Sequence, residues 1–219
     1  RQMCIRDSYE SMPVVGWDTV TVPGAVSAWV SLSERFGRLP FAELFSDAIL
    51  YARNGYQVGP KTASIWRHAI NQFADFKPFQ QTFAPHGKAP LTGELIRLPD
   101  HATTLQSIAA SSGESFYRGN LAEDIAEDAR NNGGMLTLDD LANHQPELVK
   151  PIDMSAFGAE LNEIPPNGQG LMALISLGIL KHCLENAAID SAESIHLQIE
   201  AQRIAYAEVA AHLADPDYM

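Results

Sequence analysis

At 219 residues with a formal net charge of −12, the chain can bury one large core or two small ones, and its acidity argues against nucleic acid and anionic membrane surfaces as partners. Its apolar content is that of a globular protein. No run of about 18 apolar residues offers a membrane span, and the first residues lack the apolar segment of a signal peptide. The two cysteines, Cys4 and Cys183, lie far apart in sequence and suggest neither a disulfide framework nor a metal knuckle.

Residues 1–13 show no period and no caps, and are set aside as a frayed terminus or a scar. Val20-Thr21-Val22 is a short β run broken at Pro23-Gly24. A helix follows with Ala25, Ala28, Trp29, Leu32 and Phe36 on one face, stopped by Gly37. Leu39-Pro40 opens a second, with a stripe of Phe41, Leu44, Phe45, Ala48, Ile49 and Ala52 that ends at Asn54-Gly55. A third is expected over 61–75, with Ile65, Trp66, Ala69, Ile70 and Phe73 inward and His68 as an ordinary surface or half-buried histidine. Residues 77–90 read as an irregular loop pinned by its phenylalanines, and 93–98 as a short strand or turn.

Pro99-Asp100 starts a helix carrying Ala102, Leu105, Ile108 and Ala109. Phe116 to Gly119 reads as a turn. The helix over 121–131 is strongly amphipathic. Its outer acidic residues, Glu123, Asp124, Glu127 and Asp128, have the chemistry of a divalent-cation site, but the spacing reads as a solvated face. Gly133-Gly134 closes it, and Thr137-Leu138-Asp139-Asp140 is a helix cap.

Strands are expected over 147–152 and 157–164. The second runs into Pro165-Pro166-Asn167-Gly168-Gln169-Gly170. Proline cannot continue a ladder, and glycine permits positive φ or a close approach. A helix then begins, with Leu171, Leu174, Ile175, Gly178 and Ile179 at helical spacing. Its free N–H groups could hold an anion or an oxyanion, although spacing alone favours a packing corner. Asp190-Ser191-Ala192-Glu193 carries a capping-box signature. In the last helix Ile195, Ile199, Tyr206, Val209 and Leu213 form the expected inner face. Gln198, Gln202 and Arg203 are polar candidates that read as exposed. A helix that runs into Asp215-Pro216-Asp217 suggests truncation. His182-Cys183 lie on a helix, where neighbours point apart. No nucleophile elbow, zinc motif, phosphate loop or dinucleotide fingerprint is present, so the residues imply no metal and no cofactor.

Several motifs together go further. Val22-Pro23-Gly24-Ala25-Val26, Arg35-Phe36-Gly37-Arg38-Leu39-Pro40, Ala48-Ile49 with Ala52-Arg53-Asn54-Gly55-Tyr56-Gln57-Val58, and Phe116-Tyr117-Arg118-Gly119 resemble the γ-glutamyltranspeptidase family in order and spacing. So do 133–141, the 165–170 corner, and Ala205-Tyr206-Ala207 leading to Asp215-Pro216-Asp217. The resemblance covers residues 17–219. It implies an α/β (α+β) fold: part of an N-terminal-nucleophile hydrolase αββα sandwich, with a mainly helical lobe over 14–145 and a strand-strand-helix-helix part over 146–219.

In that family a precursor cuts itself, and the new N-terminal threonine of the small subunit is the nucleophile. The implied partner is that small subunit, and the implied substrate a γ-glutamyl or related amide. A non-catalytic homologue that only binds is the reading from another class. Localisation stays open between periplasmic or secreted and cytoplasmic. The family's substrate-carboxylate arginine sits in an Arg-Glu-x-Ala-Pro motif that is not found here, and Arg6 does not match it. No catalytic residue is therefore assigned. Asn167, Gly168, Gln169 and Gly170 are the pocket-adjacent candidates. Their corner departs from the Pro-Pro-x-Ser-Ser-Gly-Gly pattern of transpeptidases toward amide hydrolases and acylases.

Overall fold

The computed structural model describes residues 13–184, 187–215, 217 and 219. The expectation for 1–13 therefore lies outside the described residues except at Pro13, as do Arg6, Pro216 and Tyr218. The chain divides into two compact units, Arg1–Pro146 and Glu147–Met219.

The first unit is helical: α1 (Ala25–Phe36), a 3-10 turn (Phe41–Phe45) running into α2 (Ser46–Asn54), α3 (Pro60–Gln72) and α4 (Lys77–Phe83). Then come α5 (Pro99–Ala110), α6 (Glu114–Arg118), α7 (Asn120–Asn131) and α8 (Leu138–Ala142). Two short strands, β1 (Tyr56–Gln57) and β2 (Leu95–Ile96), pair antiparallel. The main core draws on five of these helices and the 3-10 turn. Val26 comes from α1, Phe45 from the 3-10 turn, Ile108 and Ala109 from α5, Tyr117 from α6, Ala122 from α7 and Leu141 from α8.

Local chemistry explains many of the ends. Gly113, at φ +84°, turns the chain after α5, and its N–H reaches Ile108 O at 2.9 Å. The left-handed region costs glycine little. Thr137 and Asp140 cap α8 reciprocally, each side chain accepting the other's backbone N–H.

Several expectations need correction. Val20–Val22 pairs with no strand among the described residues. Residues 77–83 are helical rather than loop, because Pro78 fits the first turn of a helix. The phenylalanines do pin that segment: Phe73 meets Phe76 and Phe79, and Phe83 meets Trp66. Residues 114–118 form a helical turn. On α1 the side chain that enters the core is Val26, while Leu32 and Phe36 are exposed.

The second unit is a hairpin on two helices: β3 (Ile152–Ala156), β4 (Ala159–Glu163), α9 (Gly170–Cys183) and α10 (Ala192–His212). The first strand starts at Ile152, five residues later than 147, since Glu147–Pro151 has no ladder partner among the described residues. Phe157 and Gly158 form the turn rather than the strand start, both at positive φ (+53° and +78°). That is the geometry of a tight two-residue hairpin connection matched to strand twist. Register pairs Ile152 with Glu163, Met154 with Leu161 and Ala156 with Ala159. Of these, Ile152, Met154, Leu161 and Glu163 are half-buried and Ala156 is buried, while Ala159 beside the turn and the alternate residues Asp153, Ser155, Glu160 and Asn162 are exposed. Gly178 lets α9 close on the hairpin: a Cβ there would come within 3.2 Å of Met154 Cε.

In α10 the expected inner face is outward at Ile195, Ile199 and Tyr206, while Val209 and Leu213 are half-buried. Ser194, Ala201 and Ala205 are buried, whereas Ile195, Ile199 and Tyr206 are more than half or about half exposed. Small side chains allow the close approach of α9, and the large apolar stripe is left outward. The cap sits one residue later than expected, with Ser191 Oγ accepting from Ser194 N at 3.1 Å.

Candidate functional site

The corner between β4 and α9 is built from sequence as much as from packing. Glu163 ends the ladder opposite Ile152. Ile164 and the two prolines follow without ladder pairing, consistent with proline's missing donor. Asn167, Gly168 and Gln169 form an exposed turn, and Gly170 is the half-buried first residue of α9. Gln169 is the N-cap residue and gives α9 no side-chain cap.

The two glycines play different parts. Neither has positive φ, so that part of the expectation is corrected. Gly168 has open space on its Cβ side. Gly170 is a close approach: a Cβ there would collide with the Glu163 carboxylate and come within 3.0 Å of Glu163 Cβ. With Glu163 aimed at α9 in this register, a side chain at position 170 displaces the carboxylate and crowds Glu163 Cβ.

This carboxylate changes the chemistry of the corner. A helix start favours negative charge, and here Glu163 brings its own to Gly170. A second anion at the same spot meets electrostatic repulsion. The corner is thus better suited to shaping a wall than to holding a developing oxyanion. Nothing in residue spacing gave Glu163 away; it is found only once the pairing with Ile152 is known.

The other candidates are accounted for separately. His68 is exposed on α3. On the acidic face of α7, Asp128 accepts from Trp17 Nε1 at 3.0 Å and from Asn132 Nδ2 at 3.1 Å, and Glu127 lies 3.8 Å from Arg130. Gln198 donates to Ser194 Oγ at 3.0 Å, Arg203 pairs with Glu200 at 2.7 Å, and Gln202 is exposed. Cys183 is a free, exposed thiol.

A serine–histidine pair absent from the sequence reading lies in the first unit, where Ser27 Oγ is 2.9 Å from His144 Nε2. Ser27 Oγ also donates to Gly24 O at 2.8 Å. A hydroxyl has one proton to give. With that proton on Gly24, His144 Nε2 is the donor to Ser27 Oγ, and the contact is a structural one. Tyr117 completes the arrangement. It donates to Pro23 O at 2.7 Å, accepts from Ser27 N at 3.0 Å and stacks on His144. These contacts clasp the start of α1 to the chain after α8.

Comparison with known proteins adds what the corner alone does not carry. The family model described as gamma-glutamyltranspeptidase matches residues 2–219. A glutathione hydrolase-like YwrD proenzyme of Bacillus subtilis is 32% identical over 218 residues, covering 97% of this chain and 42% of that protein. The crystal structure of cephalosporin acylase from Bacillus halodurans superposes with a TM-score of 0.92 at 41% identity, covering 99% of this chain and 42% of the other. Helicobacter pylori gamma-glutamyltranspeptidase superposes with a TM-score of 0.86 at 28% identity, covering 94% of this chain and 60% of the other. The chain thus spans less than half the length of the curated relative described here. The fold is that of the N-terminal-nucleophile hydrolases, as the family resemblance implied.

Proposed function

The chain belongs to the γ-glutamyltranspeptidase family, and from that premise we propose that it is the later part of the large subunit of an amide-cleaving enzyme. The match along residues 2–219 carries this reading, and relatives described as proenzymes support a precursor that is cut in two. The nucleophile is then a threonine at the new N-terminus of a small subunit. Its hydroxyl attacks the amide carbonyl while its own α-amine takes the proton. The amine product leaves from the tetrahedral intermediate, and water or an acceptor amine removes the acyl group from the threonine. In this chain, Asn167 to Gly170 border the substrate pocket, with Glu163 holding the corner in shape.

The acyl group is γ-glutamyl in the first reading, with glutathione-like amides as substrates. A second reading, an acylase acting on another amide, is favoured by the 41% identity to the cephalosporin acylase. The Asn167-Gly168-Gln169-Gly170 sequence at the corner favours it too.

The two readings separate by rate on paired substrates. The processed protein is assayed on γ-glutamyl-p-nitroanilide and on the glutaryl anilide that lacks only the α-amino group. The γ-glutamyl reading expects kcat/KM to fall on the glutaryl compound by a factor of about 10 or more, the worth of one charge-assisted contact. Equal or faster turnover of the glutaryl anilide overturns it in favour of the acylase reading.

A further inference from the structure

A cavity of about 150 Å³ lies wholly within the first unit, between the middle of α3, the end of α4 and the chain leading through β2. We propose that it is a binding site for a small organic carboxylate with a single-ring body. Its back wall is apolar, formed by Trp66, Phe83 and the buried Pro90. Its rim carries His86 and two cations, Lys88 and Arg97, on a chain whose net charge is −12.

The wall is held in place before any ligand arrives. Trp66 Nε1 donates to Phe83 O at 2.8 Å, so the indole's only donor is spent and its ring is left as surface. Phe83 packs edge-on against Trp66 and against His101. Fixed aromatic walls lose little entropy on binding.

The rim is prepared in a complementary way. Arg97 Nε donates to Asn54 O at 3.1 Å, which anchors the guanidinium, and its terminal nitrogens have no hydrogen-bond partner among the described residues. That leaves the forked face that matches a carboxylate. Lys88 has no ion-pair partner among the described residues. The one carboxylate in the lining, Glu94, accepts from Leu91 N at 2.8 Å and closes its own turn.

Size fixes the class of ligand. A volume of about 150 Å³ is that of a space holding one benzene-sized ring, whereas drug-sized ligands need roughly 300 Å³ or more. A benzoate-like anion fits on both counts: one ring against Trp66 and Phe83, and one carboxylate on Arg97 and Lys88.

The test uses the protein expressed with the rest of its reading frame, titrated with benzoate and with neutral benzamide and followed by ligand-observed NMR. Saturable benzoate binding is expected in the ~mM range. It should weaken about tenfold in Arg97→Gln, as for a lost charge-assisted contact, and by a smaller factor in Lys88→Gln. Lys88 is exposed, so its variant separates lost binding from lost folding. Arg35→Gln on α1 should bind as wild type does. No saturable binding up to ~10 mM benzoate, benzamide binding as tightly as benzoate, or unchanged binding in both rim variants overturns the proposal. The readout is binding alone, so it stands or falls separately from the amide-cleavage reading.

Discussion

Gly170→Val in the complete precursor is expected to impair self-cleavage and turnover severely, while Gly168→Val leaves both near wild type. The contrast comes from the corner's geometry. Gly168 faces open space at an ordinary φ, so a side chain there meets nothing. At Gly170 a Cβ meets the Glu163 carboxylate and lies 3.0 Å from Glu163 Cβ. The carboxylate can swing away, but the Cβ is fixed to the strand, so β4 and the start of α9 must separate by a few tenths of an ångström. Overpacking of this kind costs about 1–3 kcal/mol, and misplacement at a reacting centre is amplified in rate. Removing the carboxylate with Glu163→Ala should rescue Gly170→Ala in part, since only the Cβ contact remains. Processing is followed on a gel and turnover with a chromogenic anilide. If Gly170→Val matures and turns over like wild type, the corner is a packing turn and does not border the pocket.

The 219-residue chain expressed alone is expected to hydrolyse neither the γ-glutamyl nor the glutaryl anilide, and to self-associate. In the serine–histidine pair Ser27–His144 the hydroxyl is also bonded to Gly24 O, as in a clasp. The second unit also leaves much surface uncovered. Its sheet has two strands, so each has an open edge. Along α10 the outward stripe of Ile195, Ile199 and Tyr206 is 50%, 52% and 58% exposed. Most of α9 is apolar on all sides yet only half-buried, and helices apolar all round belong in interiors. Light scattering and a melt decide the matter. A monodisperse monomer with a sharp cooperative transition, or turnover that survives stringent purification, contradicts the reading.

Signals confined to a few neighbouring residues were legible in the sequence. The Thr137–Asp140 cap, the turn after α7 at Gly133-Gly134 and the inward set Ala102, Ile108 and Ala109 on α5 are all local. Helix faces were legible only where one apolar stripe exists. In α10 there are two, and the rule that large apolar residues point inward selected Ile195 and Ile199 over Ser194, Ala201 and Ala205. Which stripe meets α9 is decided by how closely the helices approach. The hairpin turn was missed because Phe157-Gly158 lacks the asparagine or aspartate that usually marks positive φ at both positions. At the corner, Pro-Pro and the glycines showed where the chain bends. The difference between Gly168 and Gly170 depends on Glu163, and so on a strand register that no short stretch of sequence contains. The aromatic cavity was hidden because residues 77–90 were read as an irregular loop: its phenylalanines were expected to pin it, but the helix Lys77–Phe83, which carries Phe83 to Trp66, was not foreseen.

The proposal that this chain is one piece of an autocatalytically processed amidase is tested most directly by expressing the complete reading frame and determining the N-terminal residue of the fragments by mass spectrometry. The account predicts two chains, the larger ending downstream of Met219 and the smaller beginning with threonine, and it predicts that changing that threonine to alanine leaves the precursor uncut and inactive. A single uncut chain that turns over amide substrates, or a small chain that begins with a residue lacking a nucleophilic side chain, would contradict it.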